Sequence, residues 1–163
     1  MQDQNNKTSA VAAKAAPRTT APGHMNRAFL TVDLEEWYHL DYLKGYPCRE
    51  SGVRVLPQIF DFLDMLDEEG VKVTFFCVGE IADENAGILR EIVRRGHALG
   101  CHGLDHELLT NKSLEQFVDE TRRARTMIES AAGREITGYR ASCFTMERDK
   151  LDAIRKLGFT YDS

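Results

Sequence analysis

The sequence has 163 residues, of which 42% are hydrophobic and 29% are charged, a balance typical of one ordinary globular domain rather than of a disordered chain. The formal net charge of -5 argues against nucleic acid or an anionic membrane surface as the main partner. No apolar run approaches the length of a bilayer span, so the sequence predicts no membrane-spanning helix.

The first 27 residues differ in composition from the rest. They are rich in Ala, Thr, Asn and Pro and contain no apolar stretch of the kind that a secretory signal needs. We predict a disordered leader for residues 1–27, and the letters GHM at 23–25 are equally typical of residues left by cloning. The domain is expected to comprise residues 28–163, and its predicted location is the cytoplasm.

The four cysteines are scattered along the chain and form no C-x-x-C pair. Cys77 and Cys101 fall inside predicted strands, whereas Cys48 and Cys143 do not. A free thiol buried in a strand is the common structural role of such a residue. This usage favours a reducing compartment.

Short apolar strands alternate with amphipathic helices in the first half of the domain. The predicted elements are a strand at 28–33, a helix spanning the apolar residues of 56–66, a strand at 71–78, a helix around 88–93 and a strand at 97–101. Gly70 and Gly96 follow the two helices as stop signals. The strand at 71–78 is β-branched and aromatic, so we expect it to be buried on both faces, with Phe75 and Phe76 in the core.

The second half continues the same alternation. Ser113 and Gln116 have the spacing of a capping box, which predicts the start of a long helix that ends at Gly133. The remaining predicted elements are a strand at 136–140, a helix at 148–158 and a strand at 159–162. Such alternation predicts βα units and a parallel sheet, either doubly wound or closed as a barrel.

Reactive side chains collect where three of these strands end. Functional groups of both architectures lie at the carboxyl ends of the strands. The residues that fall there are Asp33, Glu35 and Glu36 after the first strand, His102 and His106 after the third, and Arg140 at the end of the fourth. We therefore expect all six on one rim of the sheet.

The clustered carboxylates and the two histidines together predict a metal site. Three carboxylates at the end of a buried strand repel one another, and a cation with Arg140 among them would make the cluster tolerable. His102 and His106 are four residues apart, and two imidazoles with one carboxylate are a familiar ligand set for divalent transition metals. Taken alone, surface histidines and a solvated acidic loop are the commoner interpretations of these two patterns.

Four short motifs stand in order along the sequence. They read TVDLEEW at 31–37, VKVTFFCVGEIA at 71–82, RRGHALGCHGLDH at 94–106 and GYRASCFTM at 138–146. On these motifs the sequence resembles the polysaccharide deacetylase family, also called the NodB homology domain, and within it the branch whose first motif reads T-V-D-x-E-D/E. The closing LGFTYDS is similar to the stretch after the family's third motif, so the likeness covers nearly all of residues 28–163.

The resemblance implies a fold and an activity. The fold would be a deformed (β/α) barrel of the NodB type, of which this sequence holds the N-terminal five or so βα units. The activity would be that of a metal-dependent hydrolase that removes acetyl groups from N-acetylated sugars of a surface polysaccharide, such as an exopolysaccharide or O-antigen, or of its precursor. The implied cofactor is one divalent ion, zinc, with cobalt, nickel and iron as alternatives.

The resemblance also implies residue roles. The family's general base falls on Asp33, the metal-binding acid on Glu35, where much of the family has Asp, and the two metal-binding histidines on His102 and His106. The arginine that orients the base falls on Arg140. The chemistry agrees, because a divalent ion activates water whose proton a nearby carboxylate can accept.

Four neighbouring residues have weaker patterns. Trp37 and Tyr38 directly follow the acids, and their rings could stack on a sugar face, although packing is an equally common role. His39 is expected to be a partly exposed loop residue. Asp105 lies between the histidines and could accept a hydrogen bond from an imidazole N–H, because metal-bound histidines usually have such a partner.

Two departures from the family pattern leave alternatives open. Ser142 stands where the third motif commonly has a proline, which predicts a looser loop after Arg140. No histidine follows His106, so the family's histidine that protonates the leaving amine has no counterpart. The sequence is therefore expected to be a fragment of a longer protein, or to be completed by a second chain. The alternative to an enzyme is a non-catalytic metal- or carbohydrate-binding module.

Overall fold

The computed structural model describes residues 28–40, 43, 45–47 and 51–163. All nine predicted helices and strands are present in it. In chain order they are β1 Thr31–Leu34, α1 Ile59–Glu68, β2 Thr74–Cys77, α2 Ala86–Arg94, β3 Ala98–Cys101, α3 Leu114–Ala132, β4 Gly138–Tyr139, α4 Arg148–Lys156 and β5 Tyr161–Asp162. The predictions for residues 1–27 and for Cys48 lie outside the described residues.

The five strands form one parallel sheet in the order β1-β2-β3-β4-β5. A doubly wound sheet reverses its strand order at a switch point, whereas the strands of a (β/α) barrel follow one another around the sheet. The sequential order therefore decides between the two predicted architectures. The α/β fold is that of a partial NodB-type barrel, which confirms the predicted fold class.

The strands are shorter than predicted at their amino ends. Phe29 and Leu30, included in the predicted first strand, are 86% and 49% exposed, and pairing with β2 begins only at Thr31. Val71, at the start of the second predicted strand, is likewise exposed and outside β2. Apolar character extended the predicted strands beyond the paired residues, although the Leu30 carbonyl still accepts a hydrogen bond from the Thr74 amide.

One face of the sheet packs against the helices and forms the core. Side chains alternate between faces along a strand, so residues two apart share a face. The Phe75 ring packs edge-on against Phe62 of α1, and the Tyr139 ring packs in the same manner against Phe117 of α3. Phe75, Phe76 and Cys77 are all 0% exposed, which confirms that the second strand is buried on both faces.

The opposite face, which we call the site face, contains Asp33, Phe76, Gly100 and Gly138 in one register-aligned row. The two glycines make room for aromatic rings lying across the sheet. A Cβ at Gly100 would stand 2.6 Å from the Phe76 ring, and one at Gly138 would stand 2.2 Å from the Tyr161 ring. Aromatic rings therefore cover the sheet on the site face.

The predicted helix start at Ser113 is confirmed. The Ser113 hydroxyl accepts a hydrogen bond from the Gln116 amide, and the Gln116 side chain accepts one from the Ser113 amide. Gly133 ends α3 with a φ of 66°, a left-handed conformation in which glycine has no Cβ penalty. Among the described residues, none of the helices is both long enough and apolar enough to cross a membrane.

The buried-thiol prediction is also confirmed. Cys77 and Cys101 are free and 0% exposed. Burial raises the pKa of the Cys101 thiol to about 12, and it raises the pKa of Cys77 as well. Both thiols are therefore protonated and inert at neutral pH.

His97 makes the stability of the fold depend on pH. It is 4% exposed, and its Nδ1 accepts a hydrogen bond from the Val73 amide. Burial lowers the pKa of His97 below its ordinary value of 6.5, and the positive charge of Lys72 acts in the same direction. The unfolded chain therefore binds a proton at this residue before the folded chain does, so stability is present above pH 6.5 and decreases as the pH falls.

We expect a His97→Gln variant to lose this dependence, because glutamine can accept from Val73 but does not titrate. Below pH 6.5, the free energy of unfolding of the wild type should fall more steeply than that of the variant. The difference should be at most about 1.4 kcal/mol per pH unit, the slope for one proton. Urea titrations at several pH values measure it, and parallel curves for the two proteins would contradict the assignment.

Candidate metal and catalytic site

Strand alternation explains why the predicted site residues meet. Asp33 and Glu35 are two residues apart and point to the site face together. His102 lies two residues beyond Gly100, and Arg140 two residues beyond Gly138, so both follow the same face at the ends of β3 and β4. Four side chains predicted from the sequence thus converge on one rim.

Glu35, His102 and His106 form the only group of potential metal ligands found among the described residues. One ligand atom from each lies within 4.8 Å of the others. The histidines are 1% and 6% exposed. Two imidazoles and a carboxylate at these separations fit a divalent transition metal, with positions left for other ligands.

The His102 ring is held with one nitrogen directed at this cluster. Its Nδ1 is 3.0 Å from the Arg140 carbonyl oxygen, which can only accept, so Nδ1 carries the proton. The buried Nε2 has no hydrogen-bond partner in the described part of the chain. Burial lowers the pKa of His102, against the opposing charge of Asp33. The ring is therefore presented in the neutral form that a metal requires.

His106 completes the cluster from a strained backbone position. Its φ is 59°, in the left-handed region that non-glycine residues rarely adopt. Its Nε2 lies 3.2 Å from Oε2 of Glu35, and its ring centroid is 5.0 Å from that of His102. Backbone strain of this kind persists where surrounding contacts determine the conformation, and such positions are common at functional sites.

Arg140 fixes the orientation of Asp33. Its Nη1 donates to Oδ1 of Asp33 at 2.7 Å, and its Nη2 donates to the hydroxyls of Thr31 and Ser163, both at 2.6 Å. The guanidinium also lies over the Phe76 ring, 4.4 Å from its centroid. The other oxygen of Asp33, Oδ2, is left facing His102 Nε2 at 3.7 Å.

The loop after Arg140 does not displace the guanidinium. Cys143 and Phe144 have φ values of 52° and 55°, so the loop bends sharply after Ser142. Nevertheless, the Arg140 side chain keeps its three hydrogen-bond partners and is only 8% exposed.

Two of these partners, Thr31 and Ser163, were not predicted from the sequence. Both lie on the same face as Asp33 and Arg140.

Glu36 and His39 differ from their predictions. Glu36 is not part of the ligand cluster: it is buried and accepts hydrogen bonds from the amides of Val55 and Leu56. His39 is 3% exposed, so the prediction of a partly exposed loop residue is wrong. Its Nδ1 accepts from the Glu36 amide, and its Nε2 lies 2.8 Å from Glu80. Both residues therefore organise the segment after Glu35.

Three further predictions concern residues beside the cluster. Trp37 is partly exposed and donates its indole N–H to the Val53 carbonyl, while Arg54 lies over the Tyr38 ring. Their predicted sugar-stacking role stays a prediction. Asp105 does not contact an imidazole: its carboxylate accepts from Lys112 and from the Glu107 amide. The hydrogen-bond partner expected from Asp105 is instead supplied to His102 by a backbone carbonyl.

The carboxyl rim of this parallel α/β sheet thus holds a ligand set that suits a divalent transition metal, next to a carboxylate held by an arginine. A family model described as polysaccharide deacetylase matches residues 56–161. The chain belongs to the polysaccharide deacetylase family. Enzymes of this family act on acetylated polysaccharides and generally use a divalent metal.

Named relatives agree with this membership. The chain is 28% identical over 123 residues to the peptidoglycan deacetylase-like protein FGM2 of Gibberella zeae, covering 76% of this chain and 35% of the relative. It is 30% identical over 71 residues to the peptidoglycan-N-acetylglucosamine deacetylase PgdA of Listeria monocytogenes, covering 44% of this chain and 15% of the relative. The chain thus spans about a third or less of these two proteins.

A solved structure of a relative contains a metal. It is a family 4 acetyl xylan esterase from Clostridium thermocellum in complex with a cobalt ion, 28% identical, with a TM-score of 0.53. The match covers 56% of this chain and 45% of the esterase. The family-model match includes His102, His106 and Arg140, whereas Asp33 and Glu35 lie before its first residue. Assignment of these two acids depends on their geometry.

Proposed function

We propose that the protein hydrolyses the N-acetyl group of an acetylated sugar with the help of one divalent metal ion. The observation that carries this proposal is the pairing of the ligand cluster Glu35, His102 and His106 with Asp33 held by Arg140. In an ordinary surface salt bridge, the second oxygen of Asp33 would face only solvent. Here one carboxylate oxygen is fixed, and the other faces the cluster.

The proposed metal ligands are Glu35, His102 and His106. When bound, the ion supplies Lewis acidity, which favours deprotonation of water and polarises the acetyl carbonyl. Asp33 is the proposed general base, because its Oδ2 lies beside the cluster with no guanidinium on it. Arg140 is the proposed positioning residue, because it fixes the other Asp33 oxygen. Zinc is the proposed ion, with cobalt, nickel and iron as alternatives.

The proposed substrate is an N-acetylhexosamine unit of a surface polysaccharide, of the O-antigen or exopolysaccharide kind, or of its precursor. Support comes from relatives named peptidoglycan-N-acetylglucosamine deacetylase and chitooligosaccharide deacetylase. We also propose that the chain belongs to the family branch with the T-V-D-x-E-D/E first motif, read from Thr31 to Glu36. Trp37 and Tyr38 are the proposed sugar-stacking residues, and residues 28–163 the proposed domain. The cytoplasmic location stays a prediction.

A second candidate function is a non-catalytic metal- or carbohydrate-binding module, or a half-domain that another chain completes. The observation that favours it is the altered third motif, in which Ser142 stands where a proline is common and the backbone after it turns into the left-handed region at Cys143 and Phe144. Under this candidate, the ligand cluster would bind an ion without turnover.

One experiment separates the two candidates. Purified protein is stripped of metal, reloaded with Zn²⁺ or Co²⁺, analysed for metal content and incubated with oligomers of N-acetylglucosamine. We expect about one ion per chain and release of free acetate, with the metal-free protein as control. Metal binding without acetate release would favour the non-catalytic module. Failure to bind any metal would contradict both the hydrolase and a metal-binding module, and it would leave a carbohydrate-binding module as the remaining candidate.

A further inference from the structure

A buried lysine lies next to the loop that carries the two histidines. The Lys112 side chain is 6% exposed, and its Nζ donates to Asp105 at 2.6 Å and to Glu120 at 2.5 Å. A third carboxylate, that of Glu107, lies 4.0 Å away. A buried ammonium is costly unless it is paired, so Lys112 depends on these carboxylates and they depend on it.

Asp105, the first partner of Lys112, closes the turn that contains His106. Its Oδ1 accepts a hydrogen bond from the Glu107 amide at 3.1 Å, and this bond spans His106. Since His106 has a φ of 59°, the turn around it must be maintained by contacts outside its own backbone preference. Burial alone would raise the pKa of Asp105, but the hydrogen bonds from Lys112 and the Glu107 amide lower it.

Glu120, the second partner, lies on α3, which packs against the core. The Lys112 ammonium therefore links the His106 turn to a helix through two charge-assisted hydrogen bonds. Lys112 itself immediately precedes Ser113, whose capping box fixes the start of that helix. At the helix end of this link, the start and the packing of α3 determine the positions of Lys112 and Glu120.

We propose that Lys112 is a positioning residue for the metal site: through Asp105, it holds His106 where its imidazole meets Glu35 and His102. This inference rests on the proposed function, since it concerns the same ligand cluster. Lys112 does not touch the reacting atoms. Lys112 preorganises the second histidine before the ion binds. Glu120 in turn holds the Lys112 ammonium in place.

The test uses Lys112→Met, with Lys150→Met as the matched control. Lys150 is also a buried lysine, 3% exposed, and its ion pair is with Glu147 at the start of α4 and not with the loop that carries the histidines. Hydrogen exchange of the Glu107 amide is measured in metal-free protein, and the dissociation constant and visible spectrum of Co²⁺ are measured in loaded protein. The first readout does not depend on metal.

In Lys112→Met we expect the Glu107 amide to exchange about 10-fold faster and the Co²⁺ dissociation constant to rise about 10-fold, the lower end of the effect of losing a direct partner of a metal ligand, because Lys112 acts through Asp105 and the backbone of the turn. The cobalt absorption bands should also change. Lys150→Met should match the wild type in all three readouts. Asp105→Asn, which keeps an acceptor for the Glu107 amide, should change them in the same direction by about 3-fold or more.

The outcomes separate this inference from the proposed function. Wild-type exchange at Glu107 in Lys112→Met, or an unchanged cobalt affinity and spectrum, would overturn the positioning role while leaving the metal site intact. If the wild-type protein bound no cobalt, the proposed function would fail and this inference with it. If Lys112→Met does not fold, the same two readouts in Asp105→Asn decide the question.

Discussion

Replacing His102 by alanine should raise the dissociation constant for Zn²⁺ or Co²⁺ by at least about 100-fold, since loss of even an outer partner of a metal ligand costs 10- to 100-fold. The physical reason is that His102 presents a buried, neutral Nε2 without another hydrogen-bond partner in the described part of the chain. Isothermal titration of metal-free protein measures the effect. The fold should survive, because alanine fits where the ring was and no charge is introduced.

His97→Gln is the matched control for this measurement. His97 is likewise a buried histidine, but it lies at the amino end of β3, where its Nδ1 accepts from the Val73 amide. We expect its variant to bind metal with wild-type affinity. Equal metal affinities in His102→Ala and the wild type would show that the two-histidine interpretation of the sequence is wrong.

Replacing Asp33 by asparagine should lower kcat for acetate release by about 10²- to 10⁴-fold, the range that a general base contributes. Asparagine can still accept the Arg140 hydrogen bond through its side-chain oxygen, but it cannot take a proton. Metal affinity should change little, because Asp33 is not in the ligand cluster. Steady-state kinetics together with metal titration separates the two effects.

Asp61→Asn on α1 makes the same chemical change at a distance from the site, and it should leave kcat and metal affinity as they are. A value of kcat in Asp33→Asn within a factor of about ten of the wild type would mean that another group accepts the proton. Loss of metal together with activity would place Asp33 among the ligands instead.

The fold was predictable because its periodic signals are local. The capping box at Ser113 needs only residues three apart, and the apolar run through Phe75 needs only a strand. The amino ends of the strands were not predictable in this manner. Phe29 and Leu30 look like a strand, yet whether they pair depends on a neighbour 43 positions away in the chain, as Thr31 and Thr74 show.

The site was predictable to the extent that strand alternation decides it. Asp33, Glu35, His102 and Arg140 lie at strand ends, and residues two apart share a face. The same rule would have found Thr31 and Ser163, two positions from Asp33 and Tyr161. Glu36 was assigned to the charged rim because the sequence gives no sign that the amides of Val55 and Leu56 return to it.

The hydrogen bonds of Arg140 join distant parts of the chain. They connect Arg140 to Asp33 across 107 positions and to Thr31 across 109, while a third reaches Ser163. Contacts between residues so far apart form only after the intervening loop has closed, which is an entropic cost met late in folding. We therefore expect the oriented carboxylate to appear only once the strands that carry Thr31, Asp33 and Arg140 have assembled, so that a base held by an arginine is a property of the whole sheet and not of any local segment.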